Sequence, residues 1–326
     1  MQSTPRATIY SVASRANVSI STVSLAINHP HRVSPETRRK VAEAAEAEGY
    51  RSGAHPARTG SRRIVAAAPF SAWPSYYERL NGLLARCTAA GVEVVIHDLP
   101  STNTLEAPIL DALPIRGDLD GVVVMGTPLS EKAEDAVLRN GFPTVILDAE
   151  SPRLPCVRFD DVHGGRLVGE HLARLGHREV LFAHEGTVSF DYASAGILRS
   201  QGVGEALQRH GGSLTLVDVT AGELPQALER GRATAIAANN DDVAVRVLDV
   251  LRAQGLSVPR DISLSGFDGG RVAEALSLTT VAEPFRDSGE AAADLLLALL
   301  DGRAPTVSTV MLVGALRTGR TTAALA

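Results

Sequence analysis

Within ten residues, Ser19 to Asn28, the chain places four hydroxyls (Ser19, Ser21, Thr22, Ser24) and one carboxamide (Asn28) among apolar Ile20, Val23, Leu25, Ala26 and Ile27. Short hydroxyls and amides at this density hydrogen-bond to phosphate oxygens or base edges, and branched apolar side chains between them can pack on thymine methyls. The surrounding charge suits such a partner. Residues 1–63 hold ten Lys and Arg against four Asp and Glu, whereas the rest of the chain holds 22 against 33. A basic head on an acidic body is the footprint of a polyanion-binding module joined to something else. Arginine carries that charge almost alone, since Lys40 and Lys132 are the only lysines.

Other chemistries are missing from the sequence. Gly164-Gly165 with Gly169 has the wrong spacing for a dinucleotide fingerprint, and no Gly-rich loop followed by lysine is present. Ser265-Gly266 completes no Gly-x-Ser-x-Gly elbow. His163, His171, His177 and His184 have spacings unlike metal ligands and read as capping or surface residues, so no metal is expected. Cys87 and Cys156 lie far apart without partners, which excludes a disulfide framework. The acids of the body read mostly as solvated helix faces. Nothing calls for catalysis or a cofactor, and the chain is read as a non-enzyme.

A length of 326 residues with 44% apolar content suggests two folding units of ordinary core size. The longest apolar run, Leu295 to Leu300, is bracketed by Asp294 and Asp301 and is too short to span a bilayer. Met1 to Thr8 lacks the apolar core of a secretory signal, so the expected location is cytoplasmic, away from membranes.

The elements that must position the Ser19–Asn28 residues follow from local signals. Ile9, Val12, Ala13 and Ala16 recur at helical spacing. Asn17 tolerates the positive φ of a sharp turn, and Ser19 is a good cap for a second helix, Ile20 to Asn28. Val23, Ala26 and Ile27 of that helix face inward, leaving Ile20, Ser21, Thr22, Ser24, Leu25 and Asn28 outward or sideways. Ser34-Pro35-Glu36-Thr37 opens a third helix that stops at Gly49. Two helices across a tight turn, braced by a third, form a helix-turn-helix; by pattern alone the module binds either DNA or another protein.

The run Thr8-Ile9-Tyr10-Ser11-Val12-Ala13, Asn17-Val18-Ser19, Ser21-Thr22-Val23-Ser24, Ile27-Asn28 and Val33-Ser34-Pro35-Glu36-Thr37-Arg38, ending at Gly49-Tyr50, resembles the head of the lactose/galactose repressor family. The resemblance implies DNA-backbone contacts from Ser19, Thr22, Ser24, Asn28 and Thr37, and base reading by Ile20, Ser21 and Leu25. Tyr10, Arg32 and Tyr50 complete the expected DNA-contacting set. Three departures stand out. Leu25 replaces a residue that is usually basic or polar, and Ile20 to Asn28 contains no Lys or Arg, so the bidentate arginine–guanine contact cannot come from this helix. Thymine methyls, and hence A·T pairs in each half-site, are the expected target. Residues 51–63 contain Gly53, Pro56 and Gly60 but no leucine, and the segment is about three residues shorter than the family's hinge helix. Helix formation and leucine intercalation are therefore expected to be weak, coupling between effector and DNA loose, and Arg58, Arg62 and Arg63 still able to reach phosphates. Asn17 stands for a usual glycine, a benign change.

From Ile64 onward, strand-like runs alternate with helical patterns: Ile64–Ala68, Val92–Ile96, Gly121–Met125, Thr144–Leu147, Cys156–Phe159, Val180–Ala183, Leu214–Val217, Ala235–Ala238, Ile262–Ser265 and Val307–Leu312 as strands. Such alternation means parallel sheets with crossover helices, in two similar lobes starting near Ile64 and Val180. Helices are expected over Tyr76–Ala90, Ser130–Asn140, Gly164–Leu175, Gly202–His210, Asp242–Gln254 and Pro284–Leu300. The fold class is thus an all-α helix-turn-helix head (1–50), a short linker (51–63) and an α/β body (64–326) of two lobes with parallel sheets.

The body extends the resemblance through His163-Gly164-Gly165-Arg166-Leu167, His171 to His177, Arg199-Ser200-Gln201-Gly202, Asn240-Asp241, Val258 to Ser263, Gly266-Phe267-Asp268 and Leu278 to Val281. It implies a periplasmic-binding-protein-like body whose chain crosses the hinge three times and holds a ligand between the lobes, at strand C-terminal ends. The family's effector-binding arginine matches Arg199, its strand-end asparagine Asn240 and its cleft aspartate Asp268. A guanidinium, an amide and a carboxylate together suit a polyhydroxy or heterocyclic ligand, a sugar or a nucleobase-like molecule. Pro69 to Tyr77 occupies the first pocket position, so Trp73 and Tyr76 join the candidates; Trp73 either stacks on the ligand or packs in the core. Asp98, Thr127, Asp148 and Asp160 also follow strands, and Glu283 either lines the cleft or is solvated. The expected protein is a transcription regulator, a repressor in class, that binds a double-stranded DNA operator as a homodimer under control of a small-molecule effector. The alternatives are a small-molecule-binding protein with a degenerate head and, more remotely, an enzyme on the same α/β body. No leucine heptads follow the last strand, which points to a dimer rather than a tetramer.

Overall fold

The protein is described by a computed structural model over residues 7–50, 61–99, 118–186, 195–305 and 308–325. The expectations for residues 51–60 lie outside this range. Arg62 and Arg63, by contrast, are described, and they form exposed ion pairs with Asp301 (2.6 Å) and Glu93 (2.8 Å).

In the head, α1 (Ile9–Ala16) begins in a capping box between Thr8 and Ser11 and ends at Asn17, whose φ of 53° makes the expected left-handed turn. Helix α2 (Ile20–Asn28) is capped by Ser19, which accepts from the Thr22 backbone, and α3 (Pro35–Glu48) is capped by Ser34 and stopped by Gly49 at φ 62°. Val12, Ala16, Val23, Ile27, Val41 and Ala45 interlock as one small core. Arg38 is buried within it and donates to the carbonyls of Pro30 (3.3 Å) and Val33 (3.0 Å), pinning the loop after α2.

Two compact units make up the chain, Met1–Arg158 with Phe285–Val310 and Phe159–Pro284 with Met311–Ala326, so the chain passes from one to the other three times. The first contains β1 (Arg63–Ala68), α4 (Ser75–Ala89), β2 (Glu93–Asp98), β3 (Gly121–Met125), α5 (Glu131–Arg139), β4 (Thr144–Leu147) and most of β5 (Cys156–Phe159). The second contains α6 (Asp161–Arg174), β6 (Glu179–His184), α7 (Ala195–Arg209), β7 (Ser213–Asp218), α8 (Glu223–Glu229), β8 (Ala235–Ala238), α9 (Asp241–Ala253), β9 (Ser263–Asp268), α10 (Arg271–Leu276) and β10 (Thr279–Ala282). Helix α11 (Phe285–Leu300) returns to the first unit, β11 (Thr309–Leu312) spans the last passage, and β12 (Ala315–Arg317) closes the second.

Each unit holds a six-stranded sheet, in the orders β11-β5-β4-β3-β1-β2 and β12-β10-β9-β8-β6-β7. The orders match position for position, so the units are two copies of one winding. Neighbouring pairs such as β1/β3 and β6/β8 are parallel, and β12 runs antiparallel to β10. Central strands are buried throughout, as both faces are covered by helices. In each unit one helix pair meets backbone to backbone. A Cβ on Gly82 or Gly289 would collide with the carbonyl oxygens of Arg286 and Arg79 across α4 and α11. Gly202 and Gly165 play the same part against Val162 and Arg199 across α7 and α6.

Three expectations need correction. Strand β9 runs on to Asp268 instead of stopping at Ser265, because Thr279 to Ala282 forms a parallel neighbour that pairs up to that residue. Helix α7 begins at Ala195, not Gly202, and α6 at Asp161, not Gly164. His171 and His177 are not caps or surface residues. His177 bridges Thr234 (2.9 Å) and the Ala323 carbonyl (3.1 Å), and burial depresses the pKa of both imidazoles.

Candidate nucleic-acid interface and effector site

On the head, Tyr10, Ser19, Ile20, Ser21, Asn28 and Arg32 are exposed, with Thr22, Ser24, Leu25 and Thr37 half-buried. Helix α2 therefore presents Ile20, 41% exposed, and Ser21 at its first turn, with Leu25 one turn on. Ser19 Oγ caps the Thr22 amide (3.1 Å) and Ser34 Oγ the Thr37 amide (3.3 Å), while Asn28 Nδ2 donates to Ser24 Oγ at 3.4 Å. The hydroxyls of Ser19 and Thr22 also bond each other (2.8 Å), as do those of Ser34 and Thr37 (2.9 Å), which fixes their orientation. Tyr50 is the exception. It packs against the head core, and burial raises its phenol pKa. Three of the head's cations are ion-paired, Arg15 with Glu48 (2.7 Å), Lys40 with Glu36 (2.8 Å) and Arg39 with Glu43 (3.8 Å). Exposed pairs of this kind hold weakly and can be exchanged for phosphates.

In the second unit the strand ends gather around Arg199. Helix α7 carries it, and close approach of α6 through Gly165 and Gly202 brings it against Asp161. Its Nε donates to Asp161 Oδ1 (2.8 Å), Nη1 to the Asn239 carbonyl (2.9 Å) and Nη2 to Glu283 Oε1 (3.3 Å). Asp268 Oδ1 lies 3.7 Å from Nη1, and the guanidinium stacks on the Phe267 ring at 3.9 Å. Of the expected residues, Arg199, Asp268 and Glu283 are thus together. Glu283 is not solvated, as its side chain is 2% exposed. Asn240 is adjacent in sequence but its Oδ1 caps α9 through the Val243 amide (2.7 Å). Asp160 likewise caps α6 through the His163 amide (2.8 Å).

Two residues of this region escaped the sequence reading. Asp161 follows the capping Asp160, and Asp241 follows the capping Asn240. A doubled polar pair after a strand reads as ordinary helix-start chemistry, yet in both cases the second member is buried. Asp241 accepts from Thr280 Oγ1 (2.9 Å) and from the amides of Gly269 (2.8 Å) and Gly270 (3.2 Å), tying α9 to β10 and to the turn after Asp268. Burial pushes its carboxyl up to about 6 despite these donors. The expectation that the body's acids are mostly solvated fails at these two positions and at Glu134, which is buried against Ser151 and Arg153.

The first unit repeats the theme with different partners. Arg79, 2% exposed, lies in α4 as Arg199 lies in α7, and its Nη2 reaches Asp148 Oδ2 at 2.8 Å. Asp148 follows the fourth strand of its series and Asp268 ends the fourth strand of the other, both with positive φ, 61° and 106°. The Tyr76 hydroxyl also donates to Asp148 (3.3 Å), and the Arg79 guanidinium is flanked by the rings of Tyr76 (4.8 Å) and Phe285 (4.1 Å). Tyr76 and Asp148 are therefore parts of a buried clasp. Asp98 is exposed and tied to Ser71, whose hydroxyl and amide lower its pKa. Trp73 and Thr127 are half-buried beside the ends of β1 and β3. Among the described residues no group of three or more His, Cys, Asp or Glu is placed to hold a metal, and no helix is long and apolar enough to cross a membrane.

A family model described as "Bacterial regulatory proteins, lacI family" matches residues 8–52, and one described as "Periplasmic binding protein-like domain" matches residues 170–322. The chain is 31% identical over 304 residues to the HTH-type transcriptional regulator DegA of Bacillus subtilis (strain 168), covering 87% of this chain and 88% of that protein. It is 29% identical over 316 residues to the HTH-type transcriptional repressor CytR of Escherichia coli (strain K12), covering 91% of each. Among solved structures, the transcriptional regulator CelR in complex with cellobiose superposes with a TM-score of 0.68 at 25% identity, covering 97% of this chain and 100% of that one.

Proposed function

Because the chain belongs to the LacI family of bacterial regulatory proteins, a family of DNA-binding transcription regulators and not of enzymes, we propose that it is a repressor, binding a pseudo-palindromic operator as a homodimer and releasing it when a sugar binds the body. The division of labour in this reading is a DNA-binding head at 1–50, a linker at 51–63 and an effector-binding and dimerising body at 64–326. A two-fold protein matched to a two-fold site doubles the contacts of a head too small to bind tightly alone.

The observation that carries the reading is the pairing of two surfaces in one chain. Helix α2 offers Ile20, Ser21 and Leu25 beside capped hydroxyls, and the second unit gathers Arg199, Asp268 and Glu283 at strand ends, where open α/β sheets bind ligands. The relative solved with cellobiose supports a sugar as the ligand class. Linkage then requires that a sugar preferring one arrangement of the body changes the share of chains competent for DNA.

Gel-shift titration on the DNA upstream of the chain's own gene tests this. At about 100 mM salt a single retarded complex should form, its log affinity should fall linearly with log salt, and a sugar that raises the melting temperature should weaken it. A complex that no thermally stabilising sugar alters would overturn the effector half of the proposal; no complex at any salt would overturn the operator half.

A further inference from the structure

Residues 319–325 belong to no helix or strand, yet they are fastened along the second unit almost residue by residue. The amides of Arg320, Ala323 and Leu325 donate to the Ser277 carbonyl (2.7 Å), to Ser263 Oγ (3.0 Å) and to the Leu175 carbonyl (2.8 Å). The Thr321 carbonyl accepts from the Leu264 amide (2.7 Å), and its Oγ1 bridges the Thr279 amide (2.9 Å) and the Leu264 carbonyl (2.7 Å). The segment is thus a strap that binds the end of α6 to the starts of β9 and β10. Two imidazoles complete its fastening, half-buried His171 in the last turn of α6 and buried His177 just beyond it.

The donors and acceptors around these rings leave one satisfying arrangement. The Gly319 amide can only donate, and it donates to Thr279 Oγ1 (2.9 Å). Thr279 is fully buried, so its own hydroxyl proton needs an acceptor and finds Thr322 Oγ1 at 2.8 Å. The Thr322 proton passes in turn to His171 Nε2 (2.9 Å), which must therefore be an unprotonated nitrogen. A proton on that nitrogen reverses the relay and strands the Thr279 hydroxyl as a buried donor. At His177 the Ala323 carbonyl (3.1 Å) can only accept, so Nε2 carries the proton and Nδ1 accepts from Thr234 Oγ1 (2.9 Å). A charged ring aims a second N–H at that hydroxyl, which then has to turn its proton away. The strap, β10 and Thr234 thus face the rings with hydroxyls and a carbonyl. The charges the rings feel are Arg174 beside His171, Arg178 beside His177, and His177 beside His171. Burial first, and these cations second, hold both imidazoles below the ordinary histidine value.

We propose that residues 319–325 form an acid-released strap, held by the Gly319–Thr279–Thr322–His171 relay and the Thr234–His177–Ala323 bridge only while both imidazoles are neutral. A ring that is harder to protonate folded than unfolded contributes its hold fully above the ordinary histidine pKa of about 6.5 and loses it as pH falls below that value. Hydrogen exchange of the full chain, read by mass spectrometry at pH 7.5 and pH 5.5 and corrected for intrinsic rates, tests this. Protection of the peptide that covers 319–325 should drop about ten-fold or more on acidification, while that of α11 in the first unit holds. In the double variant His171→Gln, His177→Gln, whose carboxamides keep an acceptor and a donor but do not titrate, the strap should stay protected at pH 5.5. Where that variant does not fold, NMR titration of the wild-type rings decides, and both should protonate below about 6.5. A strap equally protected at both pH values, one that loosens in acid without its histidines, or one that loosens only together with α11 overturns the proposal, as does either ring titrating at or above its ordinary value.

Discussion

Replacing Arg199 by Met keeps much of the side chain's length and its cover over Phe267 but removes the charge that sits among Asp161, Glu283 and Asp268. Two of those carboxylates are nearly dry, at 9% and 2% exposure, while Asp268 at 22% can still be reached by water. Deleting one partner of a buried ion pair typically costs about 3–5 kcal/mol, because the other charge is left uncompensated. The hydrogen bond to the Asn239 carbonyl adds about 1 kcal/mol. Arg199→Met should therefore lose about 4–6 kcal/mol, a large part of the roughly 5–15 kcal/mol that holds a domain together. The orphaned carboxylates can escape by taking up protons. Their folded-state pKa values would rise above the unfolded ones, so the deficit should shrink as pH falls from about 7.5 to about 5. Urea unfolding of the full chain at both pH values, followed by circular dichroism, measures this, and adding Glu283→Gln to Arg199→Met should recover part of the loss. A deficit below about 1 kcal/mol, or one indifferent to pH, would refute the view that Arg199 neutralises buried acids.

The head should respond to thymine methyls. Replacing dT by dU in a selected operator removes only methyl groups, and at about 0.8 kcal/mol for each methyl packed on Ile20 or Leu25 the two half-sites together should lose about 3 kcal/mol, or about a hundred-fold in affinity, with the salt slope unchanged; equal affinity for the two operators would sink the idea. Asp241, raised from 3.8 to about 6 by burial, binds a proton more tightly folded than unfolded. Its favourable contribution is complete below about pH 4 and lost as pH rises through about 6, so the stability of wild type relative to Asp241→Asn should grow by about 2–3 kcal/mol from pH 7 to pH 4, as urea titrations would show; a flat difference would contradict this.

The head was legible because each of its boundaries is written locally. Ser19, Ser34 and Gly49 cap or stop a helix whatever the rest of the chain does, and Asn17 accepts the turn unaided. The buried central strands were legible too, as short Val, Ile and Ala runs bounded by turn residues. Strands β10 and β12 and helices α8 and α10 were not found, for they are three to seven residues long and exist through their neighbours, as in the pairing of Thr280 with Arg317. Helix α7 looked too short because its first turns carry Arg199, a charge on the face that packs inward. Arg79 hid in the same way beside Tyr76, Leu80 and Leu83, all on the buried face of α4. Sequence pattern equates charge with solvent, and it fails wherever two elements bring opposite charges together across the fold.

The glycine seams give this architecture a mechanical property. Where α6 meets α7 at Gly165 and Gly202, main chain touches main chain, with no intervening side chain to change rotamer and soak up a shift. The two rods must slide or tilt as a single piece. A shift of the α7 backbone at Arg199 therefore bears directly on α6 at Gly165, backbone on backbone.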